Sequence, residues 1–455
     1  MEMVLEFLRD VLSQPALLIG IMSCIGLIAL KRPFHKIMTG TLKPILGYLM
    51  LAAGAGVIVN NLDPLGKMIE HGFHITGVVP NNEAIVAVAQ KVLGVETMSI
   101  LVVGLLMNLC IARFTKFKYV FLTGHHSLFM ACLMSAVLGT AGLSGMELIL
   151  VGGFLMGAWS AISPAIGQSY TSKVTDGDEI AIGHFGSLGY YLSACVAKYV
   201  GKAEDSTEDI EIPEKWGFLR DSTLSTALTM IVFYLIAAFA AGSEFVATLS
   251  GDMSPYLYAV MSAMNFAVGV TIVYSGVRMI LGDLIPAFQG IATKIIPNAI
   301  PAVDCAVFFT YAPTAVVLGF LSSFIGGIIG MLILGAVGGV LIIPGLVPHF
   351  FCGATAGIYG NATGGRRGAA VGAFLNGLAI TFLPALALPV LGQLGFQNTT
   401  FGDADFAVMG LVLGNAYEWV GMAGIYGIVA IAALVLIVPN FIKTKGKVIN
   451  YVEEE

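Results

Sequence analysis

Two short polar interruptions, Pro80-Asn81-Asn82-Glu83 and Pro301-Ala302-Val303-Asp304, each set a carboxylate three residues after a proline in otherwise apolar sequence. Other exceptions recur at nearly the interval that separates this pair: Gly56-Val57 as Gly276-Val277, Pro64 as Pro286 and His126 as His349. A chain that repeats its polar exceptions at a near-constant spacing reads as a duplication with a substrate site between its halves.

Lipid is the solvent for most of this chain. Of its 455 residues 57% are hydrophobic and 11% charged, against about 25% charged in a soluble domain. The mean hydropathy is +0.89. No basic surface of the kind that binds nucleic acid is visible. The six cysteines (Cys24, Cys110, Cys132, Cys195, Cys305 and Cys352) fall in apolar stretches without metal-ligand spacing and read as small core residues. The segment 17–30 lacks a basic leader and a small-residue cleavage pattern, so it is expected to be a retained first span.

A helix that crosses the ~30 Å hydrocarbon core needs about 20 apolar residues. Eleven stretches qualify, near 13–30, 41–60, 97–112, 119–140, 145–164, 223–242, 256–281, 313–335, 337–360, 368–391 and 406–441. The expected fold is therefore an all-α polytopic membrane protein of about 11 transmembrane helices. Basic residues occupy every second gap: Lys31, Arg32 and Lys36; Arg113, Lys116 and Lys118; Lys173 to Arg220; Arg278 and Lys294; Arg366 and Arg367; Lys443 to Lys447. The positive-inside rule then puts the N-terminus outside and the C-terminus in the cytoplasm.

Five spans separate Gly56 from Gly276. An odd number inverts the second copy relative to the first, which is the architecture of alternating-access carriers. The expected organisation is a first inverted repeat over 1–200, a cytoplasmic connector over 201–222, a second repeat over 223–442 and a tail over 443–455. Re-entrant segments are expected near 64–90 and 165–195 in the first repeat, and near 286–312 and 393–405 in the second. The polar connector reads either as a solvated link or as part of a docking surface for a soluble partner.

An ionisable group within a span costs about 2.5–3.5 kcal/mol on insertion scales, so Glu83 and Asp304 are the first site candidates. The prolines before them free backbone groups, which at depth is tolerated only against protein or a water-filled cavity. Carboxylates accept hydrogen bonds from vicinal hydroxyls, which suits a sugar or polyol. His125 and His184 lie in Thr123-Gly124-His125-His126 and Ile182-Gly183-His184-Phe185-Gly186. Imidazoles there can donate to an anionic or enolic oxygen. His126 and its repeat counterpart His349 are secondary candidates. Phe129, four residues after His125, and Phe185, beside His184, could each stack on a ring. There is no Walker loop, metal quartet or nucleophile–base constellation, so no catalytic residue, metal or cofactor is expected. Ion coupling through Glu83 and Asp304, in a secondary transporter of a small polyol or sugar acid, stays open as an alternative.

At these residues the chain resembles the ascorbate-type enzyme IIC permeases of the bacterial phosphoenolpyruvate-dependent phosphotransferase system. Gly54-Ala55-Gly56, Leu122-Thr123-Gly124-His125, Val174-Thr175-Asp176-Gly177, Ile182-Gly183-His184, Ala302-Val303-Asp304-Cys305-Ala306 and Ile342-Ile343-Pro344-Gly345 carry the likeness, in order, over nearly the whole chain. The resemblance implies a homodimer in the bacterial inner membrane. Each subunit would pair a core domain that moves the substrate, elevator fashion, with a scaffold domain. L-ascorbate or a related sugar-like compound would be phosphorylated by a soluble IIB protein, itself charged by IIA. By matching motifs, the substrate would meet Gly54, Asn82, Glu83, His125, Phe129, His184, Phe185, Asp304 and Cys305. Thr-Tyr stands in the ascorbate carriers where this chain has Asn82-Glu83, and glutamines stand at Phe129 and Phe185.

Overall fold

The structure, a computed structural model, describes residues 11, 14–74, 77–80, 82–177, 179–210, 222–392 and 399–441. Helices α1 (Pro15–Ala29) and α2 (Phe34–Phe73) lead to strand β1 (Val79–Pro80) and helix α3 (Asn82–Phe114). Then come β2 (Tyr119–Phe121), α4 (Gly124–Thr140), α5 (Gly145–Thr175), β3 (Ala181–Ile182) and α6 (Ser187–Val200). The later part holds α7 (Ser222–Ala241), α8 (Ser243–Ser250), α9 (Pro255–Lys294), β4 (Ile300–Val303), a 3-10 turn (Cys305–Thr310) and α10 (Pro313–Ala336). It closes with α11 (Leu346–Gly392), β5 (Thr399–Thr400), α12 (Ala404–Val420) and α13 (Met422–Ile437).

Seven helices among the described residues are long and apolar enough to cross a membrane, or eight if the sharply bent α7–α8 pair is one span. One of the seven is itself two arms. Gly364 and Gly365 leave helical geometry, Gly365 at φ 60° and ψ −155°. A Cβ on Gly360 would run into the Gly368 carbonyl oxygen, whereas eight residues along a straight helix span about 12 Å. The arms on either side of Gly364-Gly365 therefore fold back on each other. Three expected spans differ in detail: 119–140 begins as strand β2, 337–360 becomes helical only at Leu346, and 406–441 breaks at Gly421.

The helices sort into two groups by their packing. α1, α2, α7, α8 and α9 pack on one another, while α3 to α6 and α10 to α13 pack together, with comparatively sparse contact between the groups. α2 and α9, 40 residues each, would measure about 60 Å at 1.5 Å per residue. They cross where glycines remove the side chains: Gly47 meets Gly276, and Gly54 meets Gly269. The offset from Gly47 to Gly269 equals that from Gly54 to Gly276, and it is also the offset from Pro64 to Pro286.

Proline does not end either helix. Pro64 and Pro286 lie inside α2 and α9, and the long packed faces outweigh the one hydrogen bond that each ring removes. Within 64–90, α2 therefore ends only at Phe73 and α3 begins at Asn82, and within 286–312 α9 runs on to Lys294. Within 165–195, α5 continues to Thr175 and stops at Asp176 in the left-handed conformation. Of the expected 393–405 segment, 393–398 lie outside the described residues, as do 211–221 of the connector and the 443–455 tail.

The breaks are bridged by short parallel strands. β4 is central, pairing with β2 (Val120 opposite Pro301) and with β3 (Ile182 opposite Val303). β1 pairs with β5, and Val78 bridges Ile342 on its other side. Extended backbone at membrane depth must satisfy its own polar groups, and these ladders do so: Leu122 N–H donates to Ala302 O at 2.9 Å, and Gly183 N–H to Val303 O at 2.7 Å.

Candidate functional site

The cavity-lining residues Asn82, His125, His184, Asp304 and Asp403 each lie within four residues of the C-terminal end of a strand. Asn82 comes two residues after β1, His125 four after β2 and His184 two after β3; Asp304 directly follows β4, and Asp403 comes three after β5. Parallel pairing brings together the ends of β1 and β5 in one sheet and those of β2, β3 and β4 in another, and the residues from both sets line one cavity. The cavity, about 680 Å³, is lined by Tyr48, Leu51 and Ala55 of α2 from one helix group and by His125, His126 and Phe129 of α4 from the other. That volume lies within the ~300–1,000 Å³ range of small-molecule sites.

Hydrogen bonds set the chemistry of three imidazoles. The Phe185 N–H donates to His126 Nδ1 at 3.2 Å, and the Gly186 N–H donates to His184 Nδ1 at 3.1 Å. Each neutral ring then carries its proton on Nε2. The Tyr190 hydroxyl also reaches His184 Nδ1, at 2.8 Å. His125 also carries a proton on Nε2, which lies 3.3 Å from the acceptor Asp304 Oδ2, while its Nδ1 meets the Tyr48 hydroxyl at 3.2 Å. Three Nε2–H donors thus belong to the cavity wall. Asp304 is positioned from its other oxygen, which accepts the Ala306 N–H at 3.1 Å and so caps the 3-10 turn.

Asn82 has a different part from the one its motif implies. Its Oδ1 accepts the Gly402 N–H at 2.9 Å, and its Nδ2 donates to Asp403 Oδ2 at 2.5 Å. The Cys352 thiol donates to Asp403 Oδ1 at 2.8 Å. Neighbouring Asp405 is fully buried. It accepts from Ser187 Oγ, Leu188 N and Trp159 Nε1, anchoring the start of α6.

Among the residues expected from the sequence, the structure gathers Asn82, His125, His126, Phe129, His184 and Asp304 around the cavity. Four others point elsewhere. Gly54 faces α9, where a Cβ would lie 2.8 Å from Gly269 O, so its smallness serves helix packing. Phe185 stacks on Phe121 with centroids 4.6 Å apart in a core layer. Cys305 is buried beside Asp304 without lining the space. His349 bonds Ser323 at 2.9 Å and sits against Gly327, between α10 and α11. Glu83 lies in α3, and its side chain is outside the described residues. Sequence reasoning does not single out Tyr48 or Asp403. A signal for the second exists: the interval from Glu83 to Asp304 also carries His184-Phe185 onto Asp405-Phe406, and Asp403 stands two residues earlier.

Two groups of ligand-type atoms, His126 with His184 and Asp403, and His184 with Asp304 and Cys305, lie within 4.8 Å of one another. A metal would need an imidazole lone pair, yet the Nδ1 atoms of His126 and His184 already accept backbone N–H groups and the Nε2 atoms carry the protons. The arrangement suits a ligand that accepts hydrogen bonds from histidine and donates them to carboxylate.

The chain matches the family described as "PTS system sugar-specific permease component" over residues 10–405. It is 28% identical over 417 residues to the "Ascorbate-specific PTS system EIIC component" of Mycoplasma pneumoniae (strain ATCC 29342 / M129 / Subtype 1). That match covers 78% of this chain and 62% of the relative, so the chain spans a little under two thirds of the relative's length. With its apolar helices and the family match over most of its length, the chain is a multi-pass membrane protein that belongs to the sugar-specific permease family of the phosphotransferase system.

Proposed function

We propose that this chain is the membrane subunit of a phosphotransferase system that binds a small sugar-like molecule, ascorbate or a close relative, outside the cell. It hands that molecule to a cytoplasmic IIB protein for phosphorylation. One observation carries the reading: a cavity between two helix groups, walled by three imidazole donors and the Asp304 and Asp403 carboxylates. Donors and acceptors side by side in a cavity of this size are what a polyhydroxylated ring or chain requires.

The same reading includes an elevator motion in a homodimer of eleven-span subunits, with the N-terminus outside and the C-terminus cytoplasmic. The group of α3 to α6 and α10 to α13 is the moving core, and the group built on α2 and α9 is the scaffold. The sparse contact between them and the location of the cavity support that division. The near-constant interval between the sequence exceptions, repeated in the glycine contacts of α2 and α9, supports an inverted repeat.

The test is uptake into membrane vesicles supplied with phosphoenolpyruvate and the soluble phosphotransferase proteins, using labelled ascorbate and related polyols and ketoses. The expected product is the phosphorylated compound inside the vesicle. Uptake of unmodified compound that runs on a proton or sodium gradient, unchanged when IIB is left out, would refute group translocation in favour of an ion-coupled carrier.

A further inference from the structure

We propose that Asp403 is a specificity-determining residue of this cavity and that, with Asp304, it selects an uncharged polyhydroxylated substrate over a sugar-acid or enolate anion. The inference rests on the transport reading above and narrows its substrate class. The first argument is charge. Asp304 and Asp403 are both buried, 6% and 4% exposed, and both line the cavity. Among the described lining residues the only lysine or arginine is Lys67, which is largely exposed and paired with Asp63 at 3.1 Å. His126 and His184 do not offset this, because hydrogen bonding from backbone N–H groups holds them as neutral Nε2–H donors, and His125 is committed to Asp304 at 3.3 Å and leaves Asp403 without a cation. An anion entering this space meets two carboxylates and no fixed cation, and like charges at short range in a poorly solvated site repel.

The second argument concerns helix N-termini, which elsewhere in membrane carriers receive anionic substrate groups. Here the chain's own carboxylates fill that role. Asp304 takes the Ala306 N–H, Asp405 takes the Leu188 N–H at the start of α6, and Asp403 stands at the N-cap position of α12. The Ala306 and Leu188 donors are therefore not open to an anion, and at α12 an anion would meet the Asp403 carboxylate itself, which makes no capping bond there.

The third argument is the clamp on Asp403. Asn82 uses its carbonyl oxygen on Gly402 N–H and its amide on Asp403, so it holds the carboxylate in place across the β1–β5 pair. Asn82 is in this sense a positioning residue. Each Asp403 oxygen has one donor, from Asn82 or Cys352. A carboxylate offers about four lone-pair sites, so acceptor capacity remains for a vicinal pair of hydroxyls.

The test is calorimetric titration of the purified full-length protein with L-ascorbate and with a panel of pentitols, hexitols and ketoses. The tightest ligand is expected to be uncharged, with ascorbate at least about tenfold weaker, the ratio that one charge-assisted hydrogen bond sets. Asp403→Asn is expected to lose about tenfold for that ligand while leaving or improving ascorbate binding, and Asp403→Glu to keep the wild-type preference. If ascorbate is the tightest ligand of the wild type, the inference is overturned and the permease reading stands. An unchanged preference in Asp403→Asn overturns it as well. Should Asp403→Asn not give monodisperse protein, Asn82→Ala releases the same carboxylate: a preference reduced at least about threefold supports the clamp, and an unchanged one refutes it. Failure of the wild type to bind any compound of either charge refutes both readings together.

Discussion

Replacing Gly54 by alanine separates two roles that the same residue could hold. Motif likeness makes Gly54 a substrate contact; the structure turns it toward α9. A Cβ at position 54 would lie 2.8 Å from both Gly269 O and Val273 N, whereas ordinary contact starts at 3.4 Å. Both obstacles are backbone atoms of a packed helix, so no rotamer change relieves them and α2 and α9 must part locally by about 0.6 Å. Overpacking of this kind costs about 1–3 kcal/mol. Gly276→Ala makes the equivalent intrusion from the other helix, at 2.6 Å from Gly47 O and Leu51 N, and Gly276 does not line the cavity. We expect the two variants to lower the apparent melting temperature in detergent by similar amounts, several degrees each. Ligand affinity, measured well below the transition, should respond alike in both. A Gly54→Ala protein with wild-type melting behaviour and selectively lost binding would refute the reasoning and make Gly54 a substrate ligand.

Other outcomes follow from the hydrogen bonds. Asp304→Asn and His184→Ala should each weaken binding by about tenfold or more, the cost of losing a charged or buried partner, with unchanged gel-filtration profiles; wild-type affinity in calorimetry would remove them from the site. Glu208 accepts from Thr314 N and Ala315 N at the start of α10, so Glu208→Gln should cost about 0.3–1 kcal/mol of thermal stability and leave binding unaffected. Gly365 has positive φ, and a Cβ there would run into the Lys202 carbonyl oxygen. Gly365→Ala should therefore sharply reduce the yield of monodisperse protein, as read by fluorescence-detected gel filtration.

What could be read from the sequence, and what could not, follows from the range of each interaction. The carboxylate of Asp304 and the histidines at 125 and 184 stood out because an ionisable group in apolar sequence is a local, visible cost. The repeat interval was equally visible, and the glycine contacts of α2 and α9 keep it. Pro80 and Pro301 fall in the extended segments β1 and β4, whereas Pro64 and Pro286 mark no break, because helix packing along the whole of α2 and α9 outweighs one lost hydrogen bond. Phe185 and His349 have site-like neighbours in sequence but packing neighbours in space, a distinction that only long-range contacts make. Asp403 was hidden for another reason. It lies in a stretch near 393–405 read as a re-entrant segment, and its importance arises from Asn82, a partner from the other end of the chain.

The central place of β4 has a consequence for how the protein is made. β2 and β3 pair with β4 and not with each other, so residues 119–121 and 181–182 wait for 300–303 to be synthesised. β1 likewise waits for β5, at 399–400. Ribosomes add about 5–20 residues per second, which leaves these edges unpaired for roughly six seconds to a minute inside or beside the membrane. The first two hundred residues can insert their helices early, but their strand edges stay open, a natural hold for an insertase or chaperone. Expressed alone, that fragment is expected to be proteolysed, and to be rescued by co-expression of the remainder.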